Sequence, residues 1–141
     1  MSAGFFRKYI KVSNLPVTIR VKWSAEVLNE GVVPIPKKIM RFMPKIFSGK
    51  ENGLEKMLVL LAIADFKRPN YIIFPSAEYL AFTAGLDAKR FMAILDEMRQ
   101  EGYVEYKKVD DRLDVEMTGF YNKVLELDKK EVVKVDNETP F

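Results

Sequence analysis

Lys89 and Arg90 stand two and three residues after Asp87, at the start of a stretch that Gly102 closes. Cations in the first turn of a helix can donate hydrogen bonds to base edges or to phosphate oxygens. Lys107, Lys108 and Arg112 flank the pair Asp110–Asp111 and are residues of the kind that contact a phosphate backbone. A third basic group lies toward the N-terminus. Arg7, Lys8, Lys11, Arg20 and Lys22 are interleaved with Phe5, Phe6, Tyr9 and Trp23, and Lys37, Lys38 and Arg41 follow. Such a mixture suits a nucleic-acid backbone with stacked bases. With the aromatics turned into a core, it leaves a positive strip for phosphates or for an acidic protein surface.

Other chemistries lack their residues. The chain has no cysteine and no histidine, which removes thiol nucleophiles, the commonest metal ligand and the usual general base near neutral pH. No phosphate-cradling glycine loop, paired-carboxylate motif or calcium-type ligand loop occurs. Neither catalysis nor a cofactor is therefore expected. The longest apolar run, "MLVLLAIA" at 57–64, is far short of the roughly 20 residues that span a bilayer. Arg7 and Lys8 interrupt any signal-type apolar region. These features lead to the expectation of a cytoplasmic protein with no membrane partner.

The net charge of +3 conceals an asymmetry. Residues 1–50 hold ten lysines and arginines against two glutamates, a surplus of eight, whereas the rest hold 13 basic against 18 acidic residues, a deficit of five. Two halves of opposite sign imply two surfaces with different partners. The stretch 87–101 sets Lys89, Arg90 and Arg99 against Asp87, Asp96, Glu97 and Glu101. DNA affinity rests largely on neutralised phosphates, so this acidic balance disfavours DNA.

The elements that must position these residues follow from periodicity. "LPVTIRVKW" (15–23) alternates as a half-buried strand does, and "FFRKYIKV" (5–12) is a weaker strand that could pair with it. In "GVVPIPKKIMRFMPKIF" (31–47), Pro36 suits a first helical turn, and Ile39, Met43 and Ile46 recur at helical spacing until Pro44, which should end or kink the helix. "LEKMLVLLAIADF" (54–66) is apolar on nearly every side, as a buried helix is. "YIIF" (71–74) reads as a short strand. Ser76 caps the next helix, and Gly85 ends it. Asp87 caps another, with Phe91, Ile94, Leu95 and Met98 as its core stripe. Its opposite face would show Lys89, Arg90, Ala93, Asp96, Glu97 and Gln100. Strands on either side of Asp110–Asp111 form a hairpin, residues 120–127 a short last helix, and 128–141 a strand or loose tail.

This order predicts an α+β chain: a winged helix-turn-helix with an added N-terminal β element. The expected divisions are a basic β arm over 1–30, the winged body over 31–127 and a tail over 128–141. The stretches "VPIPKKIMRFMPKI" and "FPSAEYLAFTAGLDAKRFMAILDEMRQEGYVE" resemble the N-terminal domain of bacteriophage replication protein O and related phage replisome organisers. The matching segments are Pro34–Met43, Leu80–Leu86 and Leu95–Val104, and the likeness covers roughly 31–108. It implies a helix-turn-helix whose partner is origin DNA. The chain departs from that family in opening the reading helix with "DAKRF" rather than with small polar residues. In size and charge layout it is also similar to small phage factors that bind RNA polymerase.

Two functions follow as expectations. The first is a non-catalytic phage-type transcription regulator. It would act mainly by protein contacts with host RNA polymerase or another protein of the transcription or replication machinery. The alternative is a sequence-specific binder of double-stranded DNA in phage replication initiation or repression. Lys89 and Arg90 would then enter the groove, with Lys107, Lys108 and Arg112 on the backbone.

Overall fold

The computed structural model of the chain describes residues 24–29, 34–66 and 74–136. The strands expected at 5–12 and 15–23, the basic residues Arg7, Lys8, Lys11, Arg20 and Lys22, and most of "YIIF" lie outside the described residues. The chain divides into two compact units, residues 1–34 and 35–141. In the first, α1 (Ala25–Leu28) is a single turn capped by Ser24, whose Oγ accepts from the Val27 amide at 3.4 Å.

The second unit is mixed helix and strand, mostly helical. Its elements are α2 (Lys37–Phe47), α3 (Gly53–Phe66), α4 (Ala77–Ala84), α5 (Ala88–Gln100), β1 (Glu105–Val109), β2 (Arg112–Glu116) and α6 (Thr118–Asp136). Helix α3 packs against α2, α4 and α5; α4 packs against α5, and α2 against α6. The expected stripe of α5 forms the centre of the core, with Phe91, Ile94, Leu95 and Met98 fully buried. Phe42 and Phe47 of α2, Leu60 of α3, Leu80 of α4 and Phe120 of α6 complete it. Phe47 meets Tyr103 edge-on at 5.2 Å and Phe120 stacked at 6.1 Å, geometries that the ring quadrupole favours.

The α4–α5 connection forms as its residues dictate. Ser76 accepts from the Tyr79 amide at 3.1 Å, and Asp87 from the Arg90 amide at 2.7 Å. Between them Gly85 takes φ +76°, a left-handed conformation that side chains disfavour. Antiparallel β1 and β2 pair from Glu105↔Glu116 to Val109↔Arg112. Their two-residue loop places Asp110 at φ +59°. Leu113, Val115 and Met117 are buried, so one face of the hairpin joins the core. The segment leading into α4 runs beside β2, with the Leu113 amide donating to the Pro75 carbonyl at 2.8 Å and Ser76 bridged to Arg112.

Two expectations need correction. Of the two effects expected of Pro44, ending or kinking α2, the first does not occur, because the helix continues to Phe47. Proline removes one helical donor, yet Met40, four residues before it, and Pro44 itself are both exposed. Burial of Ile46 and Phe47 carries the helix onward. Nor is there a break near residue 128, because α6 is a continuous 19-residue helix to Asp136. No glycine or proline interrupts the chain between Gly119 and Pro140. Phe120, Val124, Leu127 and Glu131 also recur at helical spacing on the covered side. The helix starts hard against the α5–β1 turn. A Cβ on Gly119 would lie 1.8 Å from the Gly102 carbonyl oxygen, and the Phe120 amide donates to the Tyr103 carbonyl at 2.9 Å.

Among the described residues, no helix is long and apolar enough to cross a membrane.

Candidate functional site

Helix α5 and the hairpin hold the predicted contact residues, and their surroundings divide them sharply. Lys89 is exposed and has no partner among the described residues. Arg90, its neighbour, turns back onto α3. Its Nε and Nη2 donate to the two carboxylate oxygens of Glu55, each at 2.7 Å, and Nη2 also donates to Asn52 Oδ1 at 3.0 Å. This two-pronged bond is the geometry in which a guanidinium holds a carboxylate best. The bond and charge of Arg90 pull the Glu55 carboxyl below its ordinary value, and Glu55 in turn raises the guanidinium.

The network continues along the same seam. Asn52 Nδ2 donates to both oxygens of Glu97, at 3.1 and 2.9 Å. Lys56, 3% exposed, places its Nζ 2.8 Å from Glu101 and 3.7 Å from Glu97. Burial alone would lower the Lys56 ammonium. Its hydrogen bond to Glu101 and the charges of Glu101 and Glu97 outweigh that and hold it above the usual lysine value. A buried ammonium is tolerated only with such compensation.

The third cation of α5 is also occupied. Arg99 Nε donates to Glu105 Oε1 at 2.7 Å, and the guanidinium lies 4.7 Å from the centre of the Tyr106 ring. The Tyr106 hydroxyl donates to Asp96, and that bond, followed by burial, raises the phenol. Of the six positions expected on the outer face, Arg90, Asp96 and Glu97 are therefore engaged within the fold. Lys89, Ala93 and Gln100 remain outward.

On the hairpin, Lys107 and Lys108 are exposed and have no partner among the described residues. Arg112 is partly committed, with Nη1 donating to the Phe74 carbonyl at 2.6 Å. Residues 105–116 carry three basic and five acidic side chains, with Asp110 and Asp111 at the tip.

The basic residues of α2 make a separate group. Lys38 reaches Asp128 at 3.0 Å and Arg41 the same carboxylate at 3.5 Å, while Lys45 reaches Glu131 at 3.1 Å. Lys37 is exposed and has no partner among the described residues. The predicted contact residues are therefore spread over three elements. Lys89 sits on α5, Lys107 and Lys108 on the hairpin, and Lys37, Lys38 and Arg41 on α2 against α6.

Reading the sequence missed Asn52, Glu55, Lys56 and Tyr106. One signal was available: Lys56, Val59, Leu60 and Ile63 share the i, i+3, i+4, i+7 spacing of a buried stripe. A lysine on such a stripe needs carboxylates opposite it. No family model, curated protein or solved structure matches this chain.

Proposed function

We propose that α4, its turn, α5 and the hairpin are the helix-turn-helix and wing of a winged-helix body that works by binding a protein. The segment entering α4 alongside β2 supports that architecture. The protein is then a non-catalytic regulator. The partner that its size and charge layout favour is host RNA polymerase, as in the small phage factors it resembles.

One observation carries this reading. Two of the three cations on the helix that would read DNA are paired with carboxylates of the chain itself, Arg90 in a two-pronged bond to Glu55 with Asn52 beside it, and Arg99 in a surface pair with Glu105. What remains outward on α5 is Lys89 alone, and the hairpin tip is acidic, a weak combination for phosphates. The DNA-binding alternative draws on the unpartnered Lys89, Lys107 and Lys108.

Titrating the purified chain against random and phage-derived DNA duplexes over a salt series separates the two. The expected outcome is negligible DNA binding at low salt together with retention on immobilised bacterial RNA polymerase. Tight DNA binding that falls steeply with salt, and is lost in Lys89→Ala, would overturn the protein-contact reading.

A further inference from the structure

Helix α2 is built as a basic ridge over a buried face. At 3.6 residues per turn, Lys37, Lys38, Arg41 and Lys45 occupy about a third of its circumference. Phe42, Met43, Ile46 and Phe47 face the core. Lys38, Arg41 and Lys45 hold Asp128 and Glu131, yet their side chains stay 53%, 55% and 50% exposed.

The helix that supplies those carboxylates is attached unevenly. At its root, Phe120 and Val124 are buried and Gly119 rests on the Gly102 carbonyl. From Leu125 to Glu131 no residue is fully buried, and Leu125 is 48% exposed. Along this length Leu127 is half-buried, and three ion pairs tie the helix to α2. Asp128 is 16% and Glu131 40% exposed, but the cations of all three pairs are open to water, and pairs so open are weak and screened by salt.

We infer that the basic ridge of α2 is a docking surface for an acidic helical segment of a partner protein, and that the distal half of α6 is its built-in occupant. The contact already present identifies the chemistry. Two carboxylates three residues apart on a helix lie within one turn and face the same way, and Asp128 and Glu131 meet the ridge in this arrangement. A tethered occupant acts at an effective concentration on the order of millimolar, so it excludes weak acidic helices and yields to a stronger one. Lys37 and the open halves of the other three cations give an incoming segment its first electrostatic hold. The residues of this ridge lie on α2, whereas the expected DNA-contacting cations lie on α5 and the hairpin.

The test uses the full chain and a labelled alanine-rich helical peptide bearing glutamates three residues apart. Its glutamine counterpart serves as the control, and binding is followed by fluorescence anisotropy at low salt. The double variant Asp128→Asn, Glu131→Gln should bind the glutamate peptide about tenfold more tightly than the unmodified chain, and the glutamine peptide not at all. Adding Lys38→Gln, Arg41→Gln and Lys45→Gln should abolish that gain. Equal binding by the unmodified and double-variant chains would overturn the inference, as would binding that survives loss of the three cations. Tighter binding of a DNA duplex than of the peptide by the double variant would assign the ridge to phosphates and overturn the acidic-helix assignment. If the double variant does not fold, a sign-exchanged chain replaces it: Lys38→Glu, Arg41→Glu, Lys45→Glu with Asp128→Lys, Glu131→Lys. That chain re-forms the seam and must ignore the glutamate peptide at concentrations where the unmodified chain binds; binding there overturns the inference.

Discussion

Two charged seams run through this protein, made of the same residue types and put to opposite uses. Between α3 and α5, Lys56 is 3% exposed, and Asn52, Glu55, Arg90, Glu97 and Glu101 close a connected set of bonds around it. Between α2 and α6, the cations are about half exposed, with Lys38 and Arg41 sharing Asp128 and Lys45 reaching Glu131. Burial makes the first seam specific, because a charge sealed from water has to find its partner. Exposure makes the second replaceable, since water and salt compete with it on nearly equal terms. The first ties α5 to α3 and holds the Arg90 guanidinium against Glu55. The second leaves a ridge that another acidic helix can occupy.

Substitutions in each seam should separate them by size. The largest effect is expected at the root of α6, where Gly119→Ala drives a Cβ into the Gly102 carbonyl oxygen. Backbone cannot give way there as a flexible side chain would, so a loss of about 3 kcal/mol is expected in urea unfolding. Next is Lys56→Ala, which removes the buried ammonium and its packed stem from between Glu97 and Glu101. Because those carboxylates are 36% exposed and can rehydrate, the cost should be about 2 kcal/mol, below that of breaking a fully buried pair. Asp128→Ala frees Lys38 and Arg41, which water already reaches, and should cost about 0.5 kcal/mol. If Asp128→Ala costs as much as Lys56→Ala, the α2–α6 contact is structural, and its reading as a displaceable occupant fails.

The parts of this design that could be read in advance are those set by local rules. Ser76, Gly85, Asp87 and the stripe Phe91, Ile94, Leu95, Met98 form as expected, because capping bonds and helical spacing depend on neighbours in sequence. The hairpin around Asp110–Asp111 follows from the same kind of signal. The site was less legible. Arg90 was expected outward because it lies off the core stripe of α5. Its direction is decided by Glu55 and Asn52, 35 and 38 residues earlier in the chain. The length of α6 was underestimated because its distal half carries a thin apolar stripe. Asp128 and Glu131 of this half meet cations on α2, more than 80 residues away. Charge pairing across such separations has no periodicity to reveal it.

The smallest effect expected is also the one that sorts the seams by cause. Arg90 holds the folded Glu55 carboxyl below its usual 4.5. The resulting contribution to stability is complete above that value and disappears as pH falls through the lowered folded value, where Glu55 takes up its proton. The advantage of the unmodified chain over Glu55→Gln in urea midpoint should therefore be steady through neutral pH and fade on acidification below about 4.5. Raising the salt at neutral pH should trim it only partly, because the bidentate bond depends on geometry as well as on charge. The α2–α6 seam should show the reverse preference, with the difference between the unmodified chain and Asp128→Asn, Glu131→Gln closing in high salt at neutral pH. An acid-insensitive Glu55→Gln difference would mean that Arg90 does not rest on Glu55 in solution. The guanidinium would then be available at the surface of α5, and the DNA-reading alternative would regain the residue whose loss weakens it most.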